Sequence, residues 1–150
     1  MVAISKQNPG IPLEMARAGA TFILKGNNIT TLSGGVVLTA AGTFKAIPEG
    51  SAAVVKGFML HLHTLSKNVI MEIGYTSVAD WTGDFVAASP RIMIHTGDKH
   101  TGVGSEFITL PVPMYLTYSA TCKAVAVKLT GSDNDAVVNF GVAGWLEETG

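Results

Sequence analysis

Two histidines, His61 and His63, stand one residue apart in the longest apolar run of this 150-residue chain. Side chains at i and i+2 of a strand leave the same face, so two imidazoles placed this way can share one metal ion. They also fit the polar side of an amphipathic strand with no ligand at all. A metal site needs further ligands; Lys67 and Asn68 supply none, and Glu72 comes only after a turn. His95 and His100 could complete a site only from a region running into a glycine-rich loop, a poor support for metal geometry.

Other residues that could do chemistry also have simpler roles. Asp80-Trp81-Thr82-Gly83-Asp84 and Asp133-Asn134-Asp135 cluster oxygen donors. Calcium takes six to eight oxygens, neither run matches an EF-hand loop, and Asp, Asn and Gly are ordinary turn residues. Cys122 has Lys123 beside it, but neighbours along a strand point to opposite faces, so a buried structural thiol is the better reading. No serine sits in a Gly-x-Ser-x-Gly elbow, and no phosphate-binding loop is present. These residues argue against an enzyme, and no cofactor is expected.

Trp81, Phe85 and Tyr115 are aromatic residues near loops, suited to a sugar platform or to a protein interface. They equally suit the cap of a core. Phe85 and Tyr115 fit the cap better, although Phe85 stays with Trp81 as a candidate contact residue, and Trp81 between Asp80 and Thr82 fits the surface.

The elements that must position these residues are strands. Residues 1–20 read as an N-terminal arm, with Pro12 able to open a short helix that Gly19 would stop. From Thr21 to Gly150 the chain reads as a β-sandwich domain. Strands are expected over Thr21–Lys25, Ile29–Leu32, Val36–Ala40 and Thr43–Ile47, the second and third as a hairpin about Ser33-Gly34-Gly35. Ala53–Leu65 follows, with Phe58, Leu60 and Leu62 alternating with Met59, His61 and His63. Val69, Met71, Ile73 and Tyr75 share the next inward face. Residues 76–90 read as a loop, Arg91–Thr96 as a strand and 97–105 as a mobile loop. Glu106–Leu110 and Met114–Ser119 are split by Pro111 and Pro113, which suit an edge or a bend. Lys123–Leu129 and Ala136–Leu146 close the chain, the latter with Val138, Phe140, Val142 and Leu146 on one face. Eight to ten short strands without a long amphipathic helix predict an all-β fold, an antiparallel two-sheet sandwich.

Composition constrains the role. Only 14% of residues are charged and 47% are hydrophobic, whereas about a quarter of an ordinary soluble domain is charged. So few charges cover a small monomer poorly, which points to an oligomer or a subunit of something larger. Net charge is −1 with basic residues scattered singly, so neither nucleic acid nor a membrane is an expected partner. One cysteine allows no intrachain disulfide. The first twenty residues lack the apolar stretch of a signal peptide, and no window has the roughly 18 apolar residues of a membrane helix. A soluble protein made inside a cell is expected.

Three segments carry a resemblance. They are Ala46-Ile47-Pro48-Glu49-Gly50 before the long strand, Glu72-Ile73-Gly74-Tyr75-Thr76 running into Thr82-Gly83-Asp84-Phe85, and the closing Gly141-Val142-Ala143-Gly144-Trp145-Leu146. Over roughly residues 43 to 148 the chain resembles the jelly-roll decoration, cement or head-fibre proteins of tailed phages. The resemblance implies a structural virion protein, assembled in the host cytoplasm, that binds the major capsid protein and stabilises the shell. It also implies self-association, a homotrimer before a dimer. The arm would supply partner contacts, through Ile4, Ile11, Leu13, Met15 and Arg17, with Trp81 and Phe85 adding to the interface. A carbohydrate- or receptor-binding sandwich using Trp81 is the alternative. A cupin-like metalloprotein is a third: the His61/His63 pair resembles the start of a cupin metal motif, but its glutamate and its second motif are missing.

Overall fold

The computed structural model describes residues 20–31, 34–39, 46–62, 69–78, 84–95, 104–131 and 136–149. Apart from Ala20, the expected arm with Ile4, Ile11, Leu13, Met15 and Arg17 lies outside them, as do His63, Trp81 and His100.

The strands are β1 (Thr21–Thr30), β2 (Val36–Thr39), β3 (Ser51–Leu62), β4 (Val69–Thr76), β5 (Val86–His95), β6 (Gly104–Thr117), β7 (Ala124–Gly131) and β8 (Val137–Glu148). They form two antiparallel four-stranded sheets, β1-β8-β3-β6 and β2-β7-β4-β5. The ladders β1·β8, β2·β7, β3·β6 and β4·β5 are those of one long hairpin rolled up so that its strands are shared between two layers. Ladders β3·β8 and β4·β7 complete the sheets. This is the two-sheet sandwich that the strand pattern predicts, with the jelly-roll topology that the resemblance implied.

Period-two alternation builds the core. Phe58 and Leu60 of β3, Val69, Met71 and Ile73 of β4, Val125, Val127 and Leu129 of β7, and Val138, Phe140 and Val142 of β8 fill the space between the sheets. Burying each such side chain is worth about 1.5–3 kcal/mol. Leu146 departs from the expected inward row: it lies beyond the core and is exposed. At the Pro48-Glu49-Gly50 turn, Ser51 N–H donates to the Pro48 carbonyl at 3.1 Å, and Gly50 takes φ 80°. That is the type II geometry, which needs a residue tolerant of positive φ at its third position.

Four expectations about local structure are corrected. The turn at Gly26-Asn27-Asn28 is a bulge inside β1, with Asn28 at φ 54° and pairing resuming at Ile29↔Val138. The hairpin about residues 33–35 does not form, because β1 pairs with β8 while Val36 and Leu38 of β2 find Leu129 and Val127 of the buried β7. Of the strand expected over Thr43–Ile47, residues 43–45 lie outside the described residues and Ala46 and Ile47 are not strand, although Ile47 is buried and its N–H donates to the Lys123 carbonyl. Residues 86–90, expected as loop, belong to β5.

The two proline-containing strands share one solution. In β5, Ile92 pairs with Ile73 and Ala87 with Gly74, so the four residues Ala88–Arg91 loop out of an otherwise continuous ladder. In β6, Met114 pairs with Val55 and Thr109 with Gly57, so Leu110–Pro113 loop out opposite Lys56. Both are edge strands. Proline there interrupts a ladder that has no second neighbour to lose.

Candidate functional site

Each strand of a sandwich turns one row of side chains inward and the next outward, so the candidate surfaces are the outer rows. On the first sheet that row is largely apolar, with Lys25 and Glu147 towards its ends and Lys56 in the bulge between Val55 and Gly57. Cross-strand pairing sets Trp145, Val54 and Tyr115 side by side on β8, β3 and β6. Ala20, Phe22, Ala143 and Trp145 form an apolar cluster separate from the core. The Phe22 ring lies across Gly141, where an added Cβ would sit 2.3 Å from it. Lys25 reaches over the same ring, its Nζ 5.9 Å from the centroid, in a cation–π contact.

Part of this surface is open. Tyr115 is 54% exposed and Val112, in the β6 bulge between two prolines, is 76% exposed. Tyr115 therefore does not cap a core, as its position near a loop had suggested. Pairing with Val54 puts it on the outward row while Met114 and Leu116 point in. Phe85 is half-buried, its ring over Gly74, where an added Cβ would lie 2.7 Å from it. It covers the outer side of the second sheet rather than the end of the core.

The second sheet's outer row holds an ion pair. Glu72 is buried, and Arg91 from the β5 bulge holds it with two hydrogen bonds, Nε to Oε2 at 2.7 Å and Nη2 to Oε1 at 2.9 Å. A two-pronged guanidinium–carboxylate bond is the strongest form of such a pair and satisfies both oxygens of a carboxylate removed from water. Glu72 pushes the Arg91 pKa further up, first through the hydrogen bonds and then through its charge. Lys128 is the cross-strand neighbour of Glu72 on β7.

Among the described residues, those singled out for chemistry do not converge. His61 lies half-buried on the outer row of β3, paired with Asn139 and Ser105. Among the described residues no group of three or more His, Cys, Asp or Glu side chains could hold a metal ion. Cys122 is buried as expected, and burial pushes its thiol pKa up, away from the thiolate a nucleophile needs.

Sequence reasoning missed the outer apolar row and the Glu72–Arg91 pair. The first was legible: the positions between Phe140, Val142 and Gly144 are Gly141 and Ala143, and Trp145 continues that row. The second had no local signal, because its partners are 19 residues apart and meet only through the β5 bulge.

No family model matches the chain. No curated protein is significantly similar to it in sequence. Among solved structures, the cryo-EM structure of the virus-like particle of the extra small virus of the giant freshwater prawn Macrobrachium rosenbergii aligns over 92% of this chain and 84% of that one, with 13% identity and a TM-score of 0.29. A superposition that loose bears on neither fold nor function.

Proposed function

We propose that this chain is a structural virion protein that binds the outer surface of a tailed-phage capsid as a small oligomer and stabilises the shell, with the major capsid protein as its partner. The observation that carries the reading is the largely apolar outer row of the first sheet, with Tyr115 and Val112 presented to solvent. A rigid jelly roll with such a face is built to bind by area and shape. The low charge of the whole chain fits a protein whose surface is partly covered in use.

The test is co-sedimentation with expanded, DNA-free capsids of the cognate phage, followed by heating. Saturable retention on the capsids and a raised shell-melting temperature are expected. Protein that stays in the supernatant at saturating concentration overturns the reading. In that case a glycan array on the wild-type protein examines the carbohydrate-binding alternative.

A further inference from the structure

We infer that the capsid contact is centred on the β3–β6 edge of the first sheet, on Tyr115, Val112 and Lys56, and that the capsid protein meets them with an apolar socket edged by a carboxylate. The inference rests on the proposed function and names the chemistry of its partner. Exposure picks the place. Across most of this face the large side chains are already packed: Val54 is fully buried, and Phe22 and Trp145 are half-buried against Ala20 and Ala143. Among the described residues, the two most exposed large apolar side chains are Val112 and Tyr115, three residues apart in β6.

The β6 bulge is built to present them. Pro111 and Pro113 fix φ at two of the four looped-out residues Leu110–Pro113, so little chain entropy is lost when the bulge is gripped. Proline guards an edge against strand addition, and a charged residue between the two would guard it better. Valine stands there instead, with most of its surface in water. An apolar side chain held out on a stiff loop suits insertion into a socket. Tyr115 leaves β6 two residues beyond Pro113, in register with Val54, and supplies the large rigid ring that anchors such interfaces.

Charge names the partner. The ladders of β3 with β6 and with β8 both skip Lys56, which stands opposite Leu110–Pro113 on one side and between Ala143 and Gly144 on the other. A bulge re-aims a side chain, and this one places the Lys56 Cα about 8 Å from that of Tyr115. Among the described residues no ion pair or hydrogen bond engages its ammonium. The other charges of the face are farther off or occupied. Lys25, two strands from β3, packs over the Phe22 ring. Glu147, in register with Ala52, stands about 12 Å from Tyr115, on the side away from Lys56. His61 lies five residues further along β3, and Glu106 and Glu148 pair with Leu60 and Ser51 of the inward row. Covering an ammonium without a counter-charge is unfavourable, so the surface that closes over Val112 and Tyr115 carries an anion beside Lys56. On a capsid protein that anion is an aspartate or a glutamate.

Co-sedimentation with capsids over a concentration series tests this with the full chain, circular dichroism reporting the fold of each variant. Tyr115→Ala is expected to weaken binding about tenfold and Val112→Ser about fivefold, both at exposed positions. Lys56→Gln is expected to weaken it about tenfold, and Lys56→Glu about a hundredfold. Wild-type binding should weaken as salt rises from about 0.05 to about 0.5 M, and binding of Lys56→Gln should depend less on salt. Lys25→Gln, on the same face, should stay within about twofold of wild type. Wild-type affinity in both Tyr115→Ala and Val112→Ser overturns the inference. So does wild-type affinity and salt dependence in Lys56→Gln, or a loss in Lys25→Gln equal to that in Lys56→Gln. Each of these leaves the proposed function standing, whereas a wild-type protein that never binds capsids overturns both.

Discussion

Two glycines three residues apart in β8 should respond very differently to one added methyl group. An ideal Cβ on Gly144 would sit 1.8 Å from the Val54 carbonyl oxygen and 2.9 Å from its carbon. Both lie well inside contact distance, and both belong to a backbone held by ladders on two sides, β3·β8 and β3·β6. Nothing there can rotate away, so Gly144→Ala must push β3 from β8 at the centre of the sheet. A cost of about 3 kcal/mol or more is expected, the upper part of the overpacking range. For a chain of this size each kcal/mol lowers Tm by about 2–4 °C, so the fall should be about 6–12 °C. On Gly141 the three atoms nearest the Cβ would all belong to the Phe22 ring, at 2.3, 2.6 and 3.2 Å. That ring is half-buried on the outer face and free to swing outward, so Gly141→Ala should cost about 1 kcal/mol, the packing of the displaced ring. Removing the ring separates the two mechanisms. In a Phe22→Ala background Gly141→Ala should become neutral or stabilising, because alanine suits a strand better than glycine, while Gly144→Ala should cost what it did before. Urea denaturation with the linear-extrapolation slope held constant reads the five variants against wild type. A Gly144→Ala protein within about 1 kcal/mol of wild type would refute the close approach of β3 to β8, and a Gly141→Ala penalty surviving the loss of Phe22 would refute the placement of that ring.

Arg91→Lys should lower Tm and speed proteolytic cleavage within residues 88–91, since an ammonium cannot reproduce the two-pronged bond to Glu72; an unchanged cleavage rate would mean the bulge is held by something else. Because Glu72 raises the Arg91 pKa, the linked stability is complete below arginine's ordinary ionisation and is lost only in strong alkali. Arg91 should therefore contribute no slope to a stability profile taken between neutrality and about pH 10. Burial raises the Cys122 pKa, so the folded state keeps its thiol proton where the unfolded state releases it, and stability should fall as pH rises past the ordinary value of 9.0, a fall absent from Cys122→Ala. Thr31 is buried, and among the described residues its hydroxyl has no hydrogen-bond partner; Thr31→Val should raise stability by about 1 kcal/mol, and a loss would reveal a partner. Deleting residues 1–19 should abolish capsid co-sedimentation while leaving the circular dichroism of the sandwich intact, and full binding by the truncated protein would remove the arm from the interface.

Strand positions were legible where one row of side chains is plainly apolar. Val125, Val127 and Leu129, or Val69, Met71 and Ile73, announce a core face by alternation alone, and each lies in the core. Boundaries failed where turn residues served another purpose. Gly26 and Asn28 make a bulge because β8 continues past them, and Pro90, Pro111 and Pro113 bend edge strands that resume on the far side. A bulge and a turn use the same residues, and only the partner strand distinguishes them. The candidate surface was half legible: the outward row of β8 can be read from the chain, but not that Tyr115 and Val54 stand beside Trp145.

The sequence by itself determined the all-β class, the inward rows, the burial of Cys122 and the shortage of charge, because period, residue type and composition are local or summed properties. The tertiary structure decided which strands pair, which side chains share each outer face, and that Arg91 reaches Glu72. Those depend on contacts between residues far apart in the chain, and in a jelly roll nearly every strand finds its neighbours across the sequence rather than along it.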